Sequence, residues 1–597
     1  MSGTQQKKQW HKMNSNNTQN SLNFLSYILT ILFISLLVFF FFFANRGFDI
    51  TDESYYILNL ASPQDQFPLT HFFAYYGKFL WFFSLESLYL FRLNGFLIHN
   101  LLAFCLAKEL YSFLKHNLDS DFHVPYRTPF LLIIVLASNL YYSSKILTPS
   151  YNWFVYISAL LYFIGYLKIL KNHSSFLGVF LVSTAGFFAF FSKAPTSLPF
   201  FILTIPLLLK KERCLFFLKV GIPFLFGLFL IHHLFIQDLF IYYKRLAAGI
   251  LIADLQGLSF DINRVFYKIR SSLTDLISVF FLDPTNIILA FLTAYIIYSN
   301  KLKSYPHKLS EKPGIIISLF FIYQLVPVIL GTNIYFNNHV MHTLFGLLCI
   351  SLGLFFFTVF LRAKNKSQYN TLFIVLFLCL FLPGAYAFGT TNLFLSQMTH
   401  CSMFWISALL ILSLYLSENI KKTWPFTLCI TASIIIIGLQ FFVFLEQPYR
   451  LNKSYFEQTE STHLQWGGNI LVDHKTRNYI EKLKNAIPAN QDAEIFLLDF
   501  TGETPGANVI LGAKFTIMPW MLYLTVNNTN FNKSFYNICS KKDLLTSWLL
   551  VEKTDEEATK MFMNNIGIIF SKNYTKQAEL ISPVSNTKQL LFRPILY

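Results

Sequence analysis

The sequence predicts a mainly α-helical, polytopic membrane bundle of about thirteen transmembrane helices, followed by a C-terminal extracytoplasmic α/β domain. Three observations carry this. Of 597 residues, 54% are hydrophobic and only 13% are charged, where a soluble chain carries roughly a quarter; the mean hydropathy is +0.47. Apolar runs of near-spanning length recur from Leu22 to Leu445. The basic residues between those runs fall on alternate loops, the pattern that sets topology.

A helix that crosses the hydrocarbon core needs roughly 20 apolar residues. The runs lie at 22–43, 88–113, 129–147, 152–170, 175–191, 196–209, 214–236, 275–298, 314–331, 339–361, 370–388, 400–417 and 424–445. Leu22–Phe43 is too long for the core of a signal peptide and has no small-residue cleavage site after it. It reads as a retained signal anchor behind a cytoplasmic tail, 1–21. Two runs, 175–191 and 196–209, are short and are separated by Ser192-Lys193-Ala194-Pro195. They read either as two short spans or as a re-entrant pair; both return the chain to the same side.

With Lys7, Lys8 and Lys12 in the cytoplasm, the loops that fall inside hold Lys115 and Arg127; Lys171; Lys210, Lys211 and Arg213; Lys301, Lys303, Lys308 and Lys312; Arg362, Lys364 and Lys366; and Lys421 and Lys422. The alternate loops are poor in Lys and Arg, except the long segment 237–274. The net charge of +16 therefore reads as topology control, and the expected partner is the lipid bilayer, not nucleic acid. The membrane domain spans 22–445, with an extracytoplasmic loop at 45–87. The expected location is the inner (cytoplasmic) membrane of a bacterium.

From 446 to 597 the composition changes, with Lys, Glu, Asp and Asn common. Asp473 is placed to cap a helix over 474–487. Glu494–Phe500 and Ser547–Val551 read as strands, Asp555–Asn565 as a helix, and Ile566–Phe570 as a further strand. Of seven cysteines only Cys539 lies in this domain, so it has no domain partner for a disulfide, and no CxxC spacing occurs.

The first external loop holds Asp49, Asp52 and Glu53 within five residues. A carboxylate there can take a proton from an attacking hydroxyl or amine; an ordinary solvated acidic loop with Thr51 or Asp52 capping a short helix accounts for the same residues. Arg92 begins the second span, where a cation at membrane depth takes a partner, binds an anion or snorkels to the interface. Lys193 interrupts "FFAFFSKAPTSLPFF" on the same side, as an anion ligand or as a plain turn lysine. Two external loops resemble each other, Gly331–Phe336 and Gly389–Phe394. Their Asn333 and Asn392 suit sugar hydroxyls or helix-connecting turns. His339 and His342, and His400, follow them; no third ligand joins His339 and His342, and no metal or other cofactor is expected. Asp119-Ser-Asp121 has the spacing of nucleotide-sugar enzymes but sits in a short cytoplasmic loop. There is no P-loop and no cytoplasmic loop large enough for a nucleotide-binding domain.

The order of "DITDESYYIL", "FPLTHFFAYYGKFLWFFS", "YLFRLNGFLIHNLLAF" and "FSKAPTSLP" resembles the GT-C membrane glycosyltransferases, particularly the protein O-mannosyltransferase and aminoarabinose-transferase group. Asp52-Glu53, Arg92-Leu93 and Lys193-Ala194-Pro195 match that group's Asp-Glu pair, early Arg-Leu and Lys-Gly-Pro-like turn; Ala194 departs from the usual glycine. The resemblance covers roughly the first 210 residues. It implies a polyprenyl-phosphate-linked sugar donor and inverting transfer of a hexosyl or pentosyl group to a lipid, glycan or protein acceptor. It implies Asp52 as general base, with Glu53 supporting it or positioning a substrate, and Lys193 and Arg92 neutralising the leaving phosphate. Asp49, Tyr55, Asn333 and Asn392 are the expected further substrate contacts. A flippase of lipid-linked glycans and a non-catalytic envelope-assembly protein are the other readings of the same pattern.

Overall fold

The computed structural model describes residues 3–64, 71–117, 124–236, 238–255, isolated positions between 263 and 274, 366–390, 392, 394–420, 423–487, 494–515, 519 and 541–595. The expected spans 275–298, 314–331 and 339–361, the loop Gly331–Phe336 with Asn333, His339 and His342, and Asp119-Ser-Asp121 lie outside the described residues. So does Cys539.

The described chain is mainly helical with a small C-terminal sheet. Its first helices are α1 (Gly3–Phe43), α2 (Asp52–Ala61), α3 (Ala74–Phe83), α4 (Leu88–Asn117), α5 (Arg127–Ser138), α6 (Tyr151–Lys171), α7 (Phe176–Ser192), α8 (Ser197–Leu208), α9 (Lys211–Phe216), α10 (Ile222–Ile231) and α11 (Leu239–Leu255). Among the described residues five helical segments are long and apolar enough to cross a bilayer: Ser21–Phe43, Leu88–His116, Tyr151–Lys171, Lys211–Ile236 and Trp424–Glu446. Their outer faces carry exposed Phe24, Tyr27, Ile31, Phe41, Phe226 and Phe442. An apolar surface of this kind calls for lipid around it.

Four further expected spans appear as shorter apolar helices, at Phe176–Ser192, Ala194–Leu208, Thr371–Ala387 and Met403–Tyr415. The run 129–147 differs most. Its α-helix stops at Ser138 and continues as a 3-10 helix, Asn139–Ser144. Ser138 and Asn139 turn their side chains onto the Val135 carbonyl, and Asn139 exchanges amide bonds with Asn100 of α4. Such side-chain bonds compete with the helical ladder, so the run is apolar throughout but not one helix. The long segment 237–274 begins with α11, whose Arg245 bonds the Pro63 carbonyl at 3.2 Å.

The chain alternates between two ends. α7 packs along α6 where Gly165 and Gly178 meet: a Cβ on either glycine would lie within 3 Å of the other's carbonyl oxygen, so two small residues let the backbones touch. α8 runs back, with Phe200 and Thr204 against Tyr162, and Arg213 then bonds His173 and the Leu170 carbonyl beyond α6. The turn Lys193–Thr196 therefore lies at the end where α1 finishes, beside the first loop. Phe72 N bonds the Phe191 carbonyl there at 2.8 Å. At the opposite end Lys168 and Lys171 clasp Glu109 of α4.

The C-terminal segment starts with a hairpin, β1 (Glu460–Leu464) and β2 (Gly468–Val472). A four-stranded sheet follows in the order β3-β4-β6-β5, from β3 (Leu497–Asp499), β4 (Trp548–Glu552), β5 (Tyr574–Ile581) and β6 (Lys588–Pro594). β3 and β4 are parallel; the other pairs are antiparallel. Asp473 caps the helix His474–Ala486 by accepting from the amides of Lys475 and Thr476, as the sequence implies. The segment Ile566–Phe570 is not a strand. Gly567, at φ 74°, ends the helix Glu556–Asn565. Asn564 then caps Phe570, and Ile568 and Phe570 fill a core on one side of the sheet without joining it. The hairpin and the helix His474–Ala486 share one continuous core with the helical bundle.

Candidate functional site

The first loop is held from three directions. Behind it, Leu471 N donates to Asn45 O and Gly47 N to Leu471 O, both at 2.8 Å, which adds residues 45–47 to the edge of β2. Above it, Gly506 N donates to Ile50 O at 2.8 Å. A Cβ at Gly506 would lie 2.7 Å from Ile50 Cβ and 2.8 Å from its Cα, so only glycine permits this approach. Below it is Arg92, one turn into α4.

Arg92 is buried, and its guanidinium is fully engaged inside the protein. Nη2 meets both Glu53 oxygens at 2.6 and 2.7 Å and Gly47 O at 2.8 Å. Nη1 donates to Ala44 O and Arg46 O, and Nε to Glu53 Oε1 and Thr148 Oγ1. The Thr148 hydroxyl also donates to Glu53. With both side chains about 97% shielded (2% and 3% exposed), this is a dry, bidentate pair. Arg92 thus braces the loop in this structure, where the sequence led us to expect a phosphate ligand. Glu53 is the anchor for that brace.

The three carboxylates of the loop differ sharply. Asp49 is buried and accepts from Thr51 N, Thr51 Oγ1 and Glu53 N. Burial pushes its pKa up to about 7, the Thr51 bonds pull against that, and Asp52 and Glu53 add to it. Asp52, at the start of α2, is the one that keeps solvent access, with 17% of its side chain exposed. Its Oδ2 lies 3.7 Å from Arg450 Nη1, and the same nitrogen donates to Thr51 Oγ1 at 2.8 Å. Tyr56, Tyr151 and Tyr449 lie within electrostatic range of it, as does Tyr55, which is buried in the core.

Tyr151, within electrostatic range of Asp52, and His71 form a stacked pair on the Lys193 side of the loop. Tyr151, at the start of α6, stacks flat on His71, with ring centroids 4.0 Å apart and planes 6° from parallel. His71 in turn lies within range of Lys193. Lys193 is buried at the C-terminal end of α7, with Nζ 3.5 Å from the Tyr386 carbonyl. The residues that lead into the second Gly-Thr loop pack on this turn: Thr196 Oγ1 donates to Phe388 O, and Gly389 sits against Pro195. Asn392 is exposed and its amide meets Gln397. His400 Nδ1 lies 2.9 Å from Ser143 Oγ.

One end of the bundle thus gathers Asp49, Asp52, Glu53, Tyr55, Arg92, Lys193 and Asn392, with the stacked Tyr151 and His71 within electrostatic range of Asp52 and of Lys193 respectively. Sequence reasoning did not single out Thr148, Tyr151, His71, Tyr449 or Arg450. Arg450 carried a readable signal, a cation directly after the last run in "EQPYRLNK". His71 and Tyr151 look like ordinary aromatic-belt residues until the fold stacks them. A small cleft opens beside the Arg92 brace, between Lys145–Leu147 and Tyr449–Leu451. Among the described residues no group of three or more His, Cys, Asp or Glu is placed to hold a metal ion. No protein-family model and no curated protein sequence matches the chain.

Proposed function

We propose that this protein is a membrane glycosyltransferase of the GT-C type. It moves a hexosyl or pentosyl group from a polyprenyl-phosphate donor to an acceptor at the extracytoplasmic face of a bacterial inner membrane. In this reading the N-terminus is cytoplasmic and the chain crosses about thirteen times. The observation that supports it most is that Asp52 and Lys193 lie at the same end of the bundle, with the Tyr151–His71 stack within electrostatic range of both.

In the transfer, an acceptor hydroxyl or amine attacks the anomeric carbon. Its proton passes to Asp52, the bond from that carbon to the phosphate oxygen breaks, and the phosphate leaves with the electron pair on the opposite face, inverting the centre. Asp52 suits the base because it alone of the three carboxylates retains solvent access with a flexible cation beside it. Lys193 meets the charge that builds on the leaving phosphate. Arg450, 44% exposed, takes the cationic role that the sequence suggested for Arg92.

Asp52→Asn tests this. Purified protein is incubated with undecaprenyl-phosphate sugars, and released undecaprenyl phosphate is measured. The variant is expected to lose about 10²- to 10⁴-fold in rate while it expresses and inserts normally. Full activity would remove Asp52 as the base, and no release from any donor by the wild type would remove the glycosyl-transfer reading.

A further inference from the structure

His71 is the group in this site that the transfer scheme leaves without work. Its ring is partly buried, and its Nδ1 is shut off from solvent with no hydrogen-bond partner among the described residues. The ring donates its other hydrogen to the backbone of Ser192, the residue before Lys193. Because Nδ1 has no partner, that interaction falls to Nε2, which leaves Nδ1 as the acceptor of the neutral ring. Burial first, and the neighbouring Lys193 second, hold the imidazole pKa down to about 4, so the ring is neutral at physiological pH and Nδ1 is an acceptor. A buried acceptor without a donor is costly unless something fills it.

The position says what fills it. His71 stacks on Tyr151, which is within electrostatic range of the carboxylate Asp52, and is itself within range of Lys193. A molecule that spans from the base to the phosphate ligand comes near this pair, and what lies between those two groups on a lipid-phosphate sugar is the sugar ring. Its hydroxyls are donors, and the neutral Nδ1 needs one. We propose that His71 is a sugar-recognition residue: its Nδ1 accepts a hydrogen bond from one ring hydroxyl of the transferred sugar, with Tyr151 holding the imidazole in plane. This rests on the glycosyl-transfer reading.

The test uses full-length protein in detergent and measures binding of undecaprenyl phosphate, undecaprenyl-phosphate hexoses and pentoses, and their monodeoxy derivatives. For its preferred sugar the wild type is expected to bind one monodeoxy derivative roughly ten- to hundredfold more weakly than the parent. In His71→Phe, which keeps the stack on Tyr151 but has no acceptor, that gap closes. In His71→Asn, whose Oδ1 falls near the Nδ1 position, most of it returns. Bare undecaprenyl phosphate binds all three proteins alike. A gap that persists in His71→Phe overturns the assignment and leaves the transferase reading standing. A wild type that binds sugar-loaded and bare lipid phosphate equally overturns both. If His71→Phe no longer binds bare lipid phosphate, His71→Leu takes its place in the comparison and is judged by the same gap.

Discussion

Asp49 sits three residues from Asp52 and has the opposite environment. Its native pKa of about 7 stands well above the ordinary 3.8. The folded protein therefore holds a proton there more tightly than the unfolded chain. The stabilisation is complete below about pH 4 and is lost as the pH rises through 7. Asn at this position cannot ionise. The unfolding midpoint of the wild type in detergent should fall relative to that of Asp49→Asn between pH 4 and 7, by the equivalent of a few kcal/mol, and the difference should level off above. Asp499, pushed up to about 6 by burial, has the same sign in both proteins and cancels. A midpoint difference that is flat over this range would contradict the burial of an ionising Asp49. The sequence displayed all three carboxylates but not this division, because burial depends on Arg92 and the β2 edge, which are remote in the chain.

At the level of elements, the α4–loop brace is the clearest coupling. Arg92 and Glu53 are 39 residues apart in sequence, yet each neutralises the other away from water. Removing one partner of such a pair strands a buried charge and costs about 3–5 kcal/mol. Arg92→Met should therefore lower the unfolding midpoint strongly, and adding Glu53→Gln should recover part of the loss. The recovery is partial because the carbonyls of Ala44, Arg46 and Gly47 also lose their donor. A double variant no more stable than Arg92→Met would show that the pair does not carry the loop. The helices themselves were the legible part: α1, α4, α6 and Trp424–Glu446 fall where apolar length places them. The break at Ser138 was not legible, because it follows from Asn100 on a neighbouring helix. Strands β1, β2, β5 and β6 were missed because each is short or bears charged residues that break the alternation, as in "YTKQAELI".

Across the whole molecule, the alternation of basic loops has a spatial counterpart. Lys168, Lys171 and Arg213 cluster at one end, and the loop that carries Asp52 lies with the Lys193 turn at the other. What the sequence left open was the work of the C-terminal segment. It shares a core with the bundle and holds the Asp52 loop by main-chain bonds to residues 45, 47 and 50, so the position of Asp52, the proposed base, depends on a segment more than 400 residues downstream. Gly506→Ala tests that dependence, because the added methyl meets Ile50 Cα, which is backbone and cannot swing aside. The two segments must part by several tenths of an ångström, which tilts the start of α2. Transfer activity should drop about tenfold or more, since small displacements of a catalytic group are expensive, while membrane insertion and binding of bare undecaprenyl phosphate through Lys193 stay unchanged. Limited proteolysis should cut the C-terminal segment from the bundle sooner in the variant than in the wild type. Unchanged activity together with faster cleavage would show that the domain is a lid over the site but not the support of its base.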